Sequence, residues 1–157
     1  METLVWLESS ALSDIVRTVA WVYPAVETAH YIGLAFLVGA IMLIDLRLLG
    51  IAKTLPIGSM IGLLPWVWVG FIINVASGSV MFIYGATGFG VNRAFWLKMI
   101  FLALAGINAL IFTLAASRSG SAWVDGGQVP AFVRVVATAS LVLWICVVTT
   151  GRWMAYI

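Results

Sequence analysis

Charge is what this chain has least of. Only 9% of its 157 residues are Asp, Glu, Lys or Arg, against 64% hydrophobic. A soluble domain of this size has no interior large enough for so much apolar surface. The formal net charge of +2 comes from few groups; with no basic stripe for phosphate contacts, nucleic acid is excluded as a partner. Cysteine is nearly missing. Cys146 is alone, which rules out an intrachain disulfide and a Cys-rich metal site. Histidine occurs once, at His30. No nucleophile elbow or triad accompanies it, so hydrolysis is disfavoured and electron transfer or binding fits better than enzymatic turnover. The opening METLVWLESS carries Glu2 and Glu8 where a signal peptide would carry Lys or Arg, and is read as mature sequence. There is no internal repeat, and the chain is too short for an inverted-repeat transporter.

What is present is long apolar runs. Between Glu27 and Asp45 no charged residue intervenes over 18 positions, ~27 Å along a helix, close to the ~30 Å hydrocarbon thickness of a bilayer. Glu27 is therefore expected at one membrane face and Asp45 with Arg47 at the other. Further apolar runs predict membrane helices over about 24–49, 63–84, 94–116 and 131–156. Lys98 and Arg118 bracket the third, Arg134 and Arg152 the fourth. Pro24 suits the first turn of its helix. Residues 10–22 place Leu12, Ile15, Val16 and Val19 at helical spacing opposite Asp14 and Arg17, which predicts a short amphipathic helix lying in the interface. Trp6, Trp21 and Tyr23 suit its aromatic belt. Residues 85–92, GATGFGVN, read as a glycine-rich turn, and 117–130 as the longest loop. The expectation is an all-α integral membrane four-helix bundle, one membrane domain over 1–157, with that interfacial helix at its N-terminal end.

Four spans put both termini on one side. Cations divide evenly, Arg47, Lys53, Arg118 and Arg134 against Arg17, Arg93, Lys98 and Arg152, so the positive-inside rule does not orient the chain. Glu2, Glu8, Asp14 and Glu27 share the terminal side, and the termini are placed there on the periplasmic face of a bacterial inner membrane.

The charge brackets also act as a depth ruler. Asn74 and Asn108 fall near the centres of the second and third spans, where a hydrogen-bonded structural pair is expected. Gly70, Asn74 and Gly78, and likewise Ala25, Ala29 and Gly33, form small-residue stripes that let helix backbones approach. His30 lies one turn inside the first boundary, where a titratable group is costly and a functional candidate by default. The ruler places Met81 at its level and gathers Lys98, Arg93 and Arg152 near the same surface. A b-type haem takes imidazole and thioether ligands and cations for its propionates, a set met by His30, Met81, Lys98, Arg93 and Arg152. Copper(I) favours His30 with Met81, Met99 or Met154. Alternatively His30 is bonded structurally and the methionines are packing. Glu27 and His30 form a single Glu-x-x-His pair, too few carboxylates for a di-iron site, so Glu27 is expected to accept from the ring or to pair with Lys98 or Arg152.

The stretch ETAHYIGLAFLVGAIMLIDLRLLG, with FWLKM at 95–99 and Asn108, resembles a family of uncharacterised bacterial four-helix membrane proteins. More distantly the chain is similar to copper-resistance D membrane domains and b-type cytochrome bundles, which place histidines near one end of a bundle. That resemblance implies a haem or copper site at the His30 end. Cytochrome bundles use two or more histidines and this chain has one, so a second ligand would come from Met81 or from another copy. Three readings stay open: a small haem protein passing electrons to a redox partner protein, a copper-binding or copper-transport protein, and a cofactor-free structural subunit. Eight Trp and the small-residue stripes also lead us to expect a homo-oligomer in the lipid bilayer.

Overall fold

The computed structural model of the chain describes residues 1–56, 59–60, 62–118 and 128–156, without the side chains of 115–118. All regular structure among these residues is helical: α1 (Glu2–Glu8), α2 (Ala11–Thr18), α3 (Val22–Leu48), α4 (Leu64–Tyr84), α5 (Ala86–Val91), α6 (Arg93–Arg118) and α7 (Ala131–Trp153). Four of them, α3, α4, α6 and α7, are long and apolar enough to cross a membrane. Most of the expected 117–130 loop, with Asp125, and the side chain of Arg118 lie outside the described residues.

Local chemistry explains the helix ends. Ser10 caps α2 by accepting the Ser13 amide at 3.4 Å. Pro24 falls in the first turn of α3, where an amide proton would have no helical partner. Asn92 Oδ1 accepts the Phe95 amide at 3.0 Å and so caps α6, while its Nδ2 donates to the Met154 carbonyl at 3.0 Å. One side chain thereby ties the start of α6 to the end of α7.

Two short helices depart from the sequence reading. The N-terminal ten residues contain α1, and the expected glycine-rich turn contains α5. Tertiary contacts hold both. Phe89 of α5 stacks with Phe82 and Phe95, at 6.4 and 5.7 Å between ring centroids. Leu4 of α1 packs so closely on α5 that a Cβ on Gly90 would stand 2.5 Å from Leu4 Cδ1. Intrinsic propensity disfavours helix in a glycine-rich hexamer, and packing overrides it.

The long helices form two antiparallel hairpins. α3 packs along α4 and α6 along α7, and a narrower α3–α7 contact joins the pairs. The α3–α4 seam is tight because glycines face each other. A Cβ added to Gly70 would lie 2.6 Å from both the Gly33 carbonyl oxygen and the Leu37 nitrogen, so backbone touches backbone there. Leu37, Ala105, Trp144 and Val147 form a buried apolar layer between the hairpins; Leu48, Val133 and Ala137 form a second layer toward the other end.

Candidate functional site

α3 and α4 run antiparallel in a fixed register. Gly33 faces Asn74, His30 faces Ser77, and Tyr23 meets Tyr84 with ring centroids 5.0 Å apart. His30 Nδ1 lies 2.9 Å from Ser77 Oγ. Ser77 Oγ also donates to the Ile73 carbonyl at 2.6 Å, which commits its one hydrogen. Nδ1 is therefore the donor, and in the neutral imidazole this is the Nδ1–H tautomer, which leaves a lone pair on Nε2. Beneath the ring lies Gly78, whose added Cβ would stand 3.4 Å from His30 Cε1, in van der Waals contact with the imidazole.

On the facing hairpin, the Lys98 stem lies over Gly151 of α7 in the same way, with Nζ 3.5 Å from where a Cβ would be. Both Lys98 and Glu27 are within electrostatic reach of the His30 ring. Among the described residues the one ion pair is Arg17–Glu8, so Lys98 is a half-buried cation with no carboxylate partner there. The structure thus gathers His30, Ser77, Glu27 and Lys98 at one end of the bundle.

The other expected members make contacts of their own. Met81 is one turn beyond Ser77 on α4, above rather than level with His30. The depth ruler misplaced it because the second span has no charges to bracket it and the Gly33–Gly70 contact sets the register. Arg93 is exposed at the start of α6. Arg152 is also exposed; it donates to the Tyr156 hydroxyl at 2.7 Å and lies over that ring at 5.0 Å. Glu27 accepts from Tyr31 at 3.3 Å and not from His30, whose donor goes to Ser77. The expected Asn74–Asn108 bond is not formed. Asn74 donates to the Gly70 carbonyl at 2.9 Å and Asn108 to the Val136 carbonyl at 3.2 Å, because their helices belong to different hairpins. Met99 is half-buried, and the Met154 carbonyl serves Asn92. Among the described residues no three His, Cys, Asp or Glu side chains come together as a metal-binding group.

Sequence reasoning missed two features. Ser77, within a run of small residues, was not distinguished from packing. Asp45, taken as a boundary marker, is only 6% exposed and sits inside the α3–α7 contact. The end-on charge pattern pointed to Asp45 but could not say which way the side chain turned.

The fold and this polar end define the class: an all-helical protein with four candidate membrane spans and a histidine–serine pair within them. More narrowly, the chain belongs to the family described as a family of unknown function, DUF6644, whose match covers residues 3–157. No curated protein and no solved structure matches it.

Proposed function

We propose that this protein is a small haem-binding membrane protein, with His30 as an axial ligand through Nε2, that takes part in electron transfer at the His30 end of the bundle. The observation that carries the reading is the His30–Ser77 hydrogen bond. A ligating imidazole characteristically donates its other N–H to a fixed acceptor, which sets ring orientation and tautomer. Lys98, which forms no ion pair among the described residues, would supply an ammonium for a propionate. The haem would lie on the side of His30 that faces α6 and α7, since the touching backbones of α3 and α4 leave no gap for a macrocycle between them. That placement disfavours Met81 as the second ligand and leaves that position to a small molecule or a second copy of the chain. Bound there, haem would supply a one-electron couple.

The acids Glu2, Glu8, Asp14 and Glu27 on the terminal side support a bacterial inner membrane setting with both termini periplasmic, so that the site would face a periplasmic or membrane redox partner protein. The test is direct. Protein purified from its native membrane should show a Soret band, and His30→Ala should remove it while the helical circular dichroism stays unchanged. A colourless native protein with no haem in an acid-acetone extract would overturn the reading. Copper analysis of the same sample decides the runner-up: copper that survives His30→Ala is not held here.

A further inference from the structure

The end of the bundle opposite His30 holds a group that the proposed function does not use. Asp45 of α3 is 6% exposed, and its Oδ2 has no hydrogen-bond partner. Ser140 of α7, 8% exposed, stands within hydrogen-bonding reach across the helix interface. Around the pair lie Leu48, Val133 and Ala137, with Ile44 and Phe112 packed on them. The charged groups at this end whose side chains are described are accounted for on each element. On α3, the Arg47 Nε donates to the Leu55 carbonyl at 2.5 Å. Lys53 of the following connector and Arg134 of α7 are exposed, and neither forms an ion pair with Asp45 among the described residues. On α6 the described neighbours, Asn108 and Phe112, are uncharged, and Asn108 is engaged with Val136.

An ionised carboxylate with an orphan oxygen in this apolar seam would be costly, because burial removes its water and the described residues supply no counter-charge. A metal cation does not solve the problem. Hard cations need about six oxygen ligands, and this place offers Asp45 and Ser140, with the flanking backbone carbonyls spent on helix bonds. A proton needs only the one oxygen.

We propose that Asp45 is a buried proton-binding site: a carboxyl group that holds its proton at neutral pH while α3 and α7 are packed, and releases it when that interface opens. The site is independent of any cofactor at His30.

Infrared spectroscopy of the full chain in lipid nanodiscs, grown with carboxyl-13C aspartate, tests this. The label isolates Asp14, Asp45 and Asp125. The expected result is an isotope-shifted carbonyl stretch of a protonated acid at pH 7. It should persist in an Asp14→Asn, Asp125→Asn double variant and move to higher frequency in Ser140→Ala. Asp45→Asn should lose the band and unfold at the wild-type temperature or above, since the amide is the neutral isostere. Absence of the band at pH 7, its loss in the double variant, or its disappearance on adding sodium chloride would each overturn the proposal. The first and last would mean a carboxylate neutralised by something other than a proton. The double variant keeps the test open if Asp45→Asn fails to fold.

Discussion

At the scale of single residues, the glycines divide into those that are replaceable and those that are not. Gly70 sits against the backbone of α3, so Gly70→Ala must push α3 and α4 apart; overpacking of this kind costs about 1–3 kcal/mol. Gly106 has nothing within 4 Å of an added Cβ, and Gly106→Ala should stabilise by up to ~1 kcal/mol through helix propensity. Thermal unfolding of the two variants in one detergent checks the opposite signs. Ser77→Ala leaves the His30 N–H without its acceptor; it should cost about 1 kcal/mol of stability and, on the proposed function, lower haem occupancy. A Ser77→Thr variant, which keeps a hydroxyl, should recover most of that occupancy, as read from the Soret absorbance per protein.

At the scale of elements, α1 is anchored by one carboxylate. Glu8 Oε2 accepts from the Thr87 hydroxyl and amide at 2.5 and 2.9 Å, and its Oε1 from Arg17 at 2.6 Å. Arg17 also donates to the Tyr84 carbonyl at 3.1 Å and lies over the Tyr84 ring at 5.4 Å. The Thr87 hydroxyl first, then its amide and Arg17, hold the Glu8 carboxyl down to about 2 from an ordinary 4.5. Because the folded value is the lower one, the clamp is at full strength above about pH 4.5 and weakens as the pH falls toward 2. The protection of the Thr87 amide, its exchange rate relative to the intrinsic rate at each pH, should therefore fall across that window, and Glu8→Gln should abolish that pH dependence.

The same scale shows what the sequence could and could not disclose. Long apolar runs bracketed by Lys98, Arg134 and Arg152 carry their own boundaries, because the bilayer imposes a length on them. The helices α1 and α5 carry no such mark. They exist through Glu8–Thr87, which joins residues 79 positions apart, and through the Phe82, Phe89 and Phe95 stack, which joins three separate helices. His30 stood out as a lone imidazole in an apolar run, but its partner did not. Ser77 gains meaning only from the register that Gly33 and Gly70 impose, and register between two uncharged helix faces leaves little trace in composition. Asp45 was visible as a charge and misread as a surface one for the same reason.

At the scale of the whole molecule, the apolar layer at Leu37, Ala105, Trp144 and Val147 lies between the His30 end and the Asp45 end. The two polar regions are therefore separate sites, and Asn74 and Asn108 each serve helix packing within a hairpin. Trp144, 8% exposed, fills most of that layer. Trp144→Ala should lower stability by about 3–5 kcal/mol, seen as a drop in unfolding temperature. Outside the hairpins, Trp66, Trp68, Ile72, Trp96 and Leu97 are exposed on the isolated chain. Part of that surface is expected to meet a second copy in the bilayer; a single-copy mass in lipid nanodiscs, as in detergent, would contradict this.

The Glu8 clamp carries an order of events with it. Its acceptor, Glu8, leaves the ribosome before its donor at Thr87, which comes 79 positions later. The opening segment therefore has to wait, unfastened, until the ribosome has delivered the second span and the segment behind it. Only when that hairpin is in place can α1 be latched down, so it settles after α3 and α4, although it is synthesised before them.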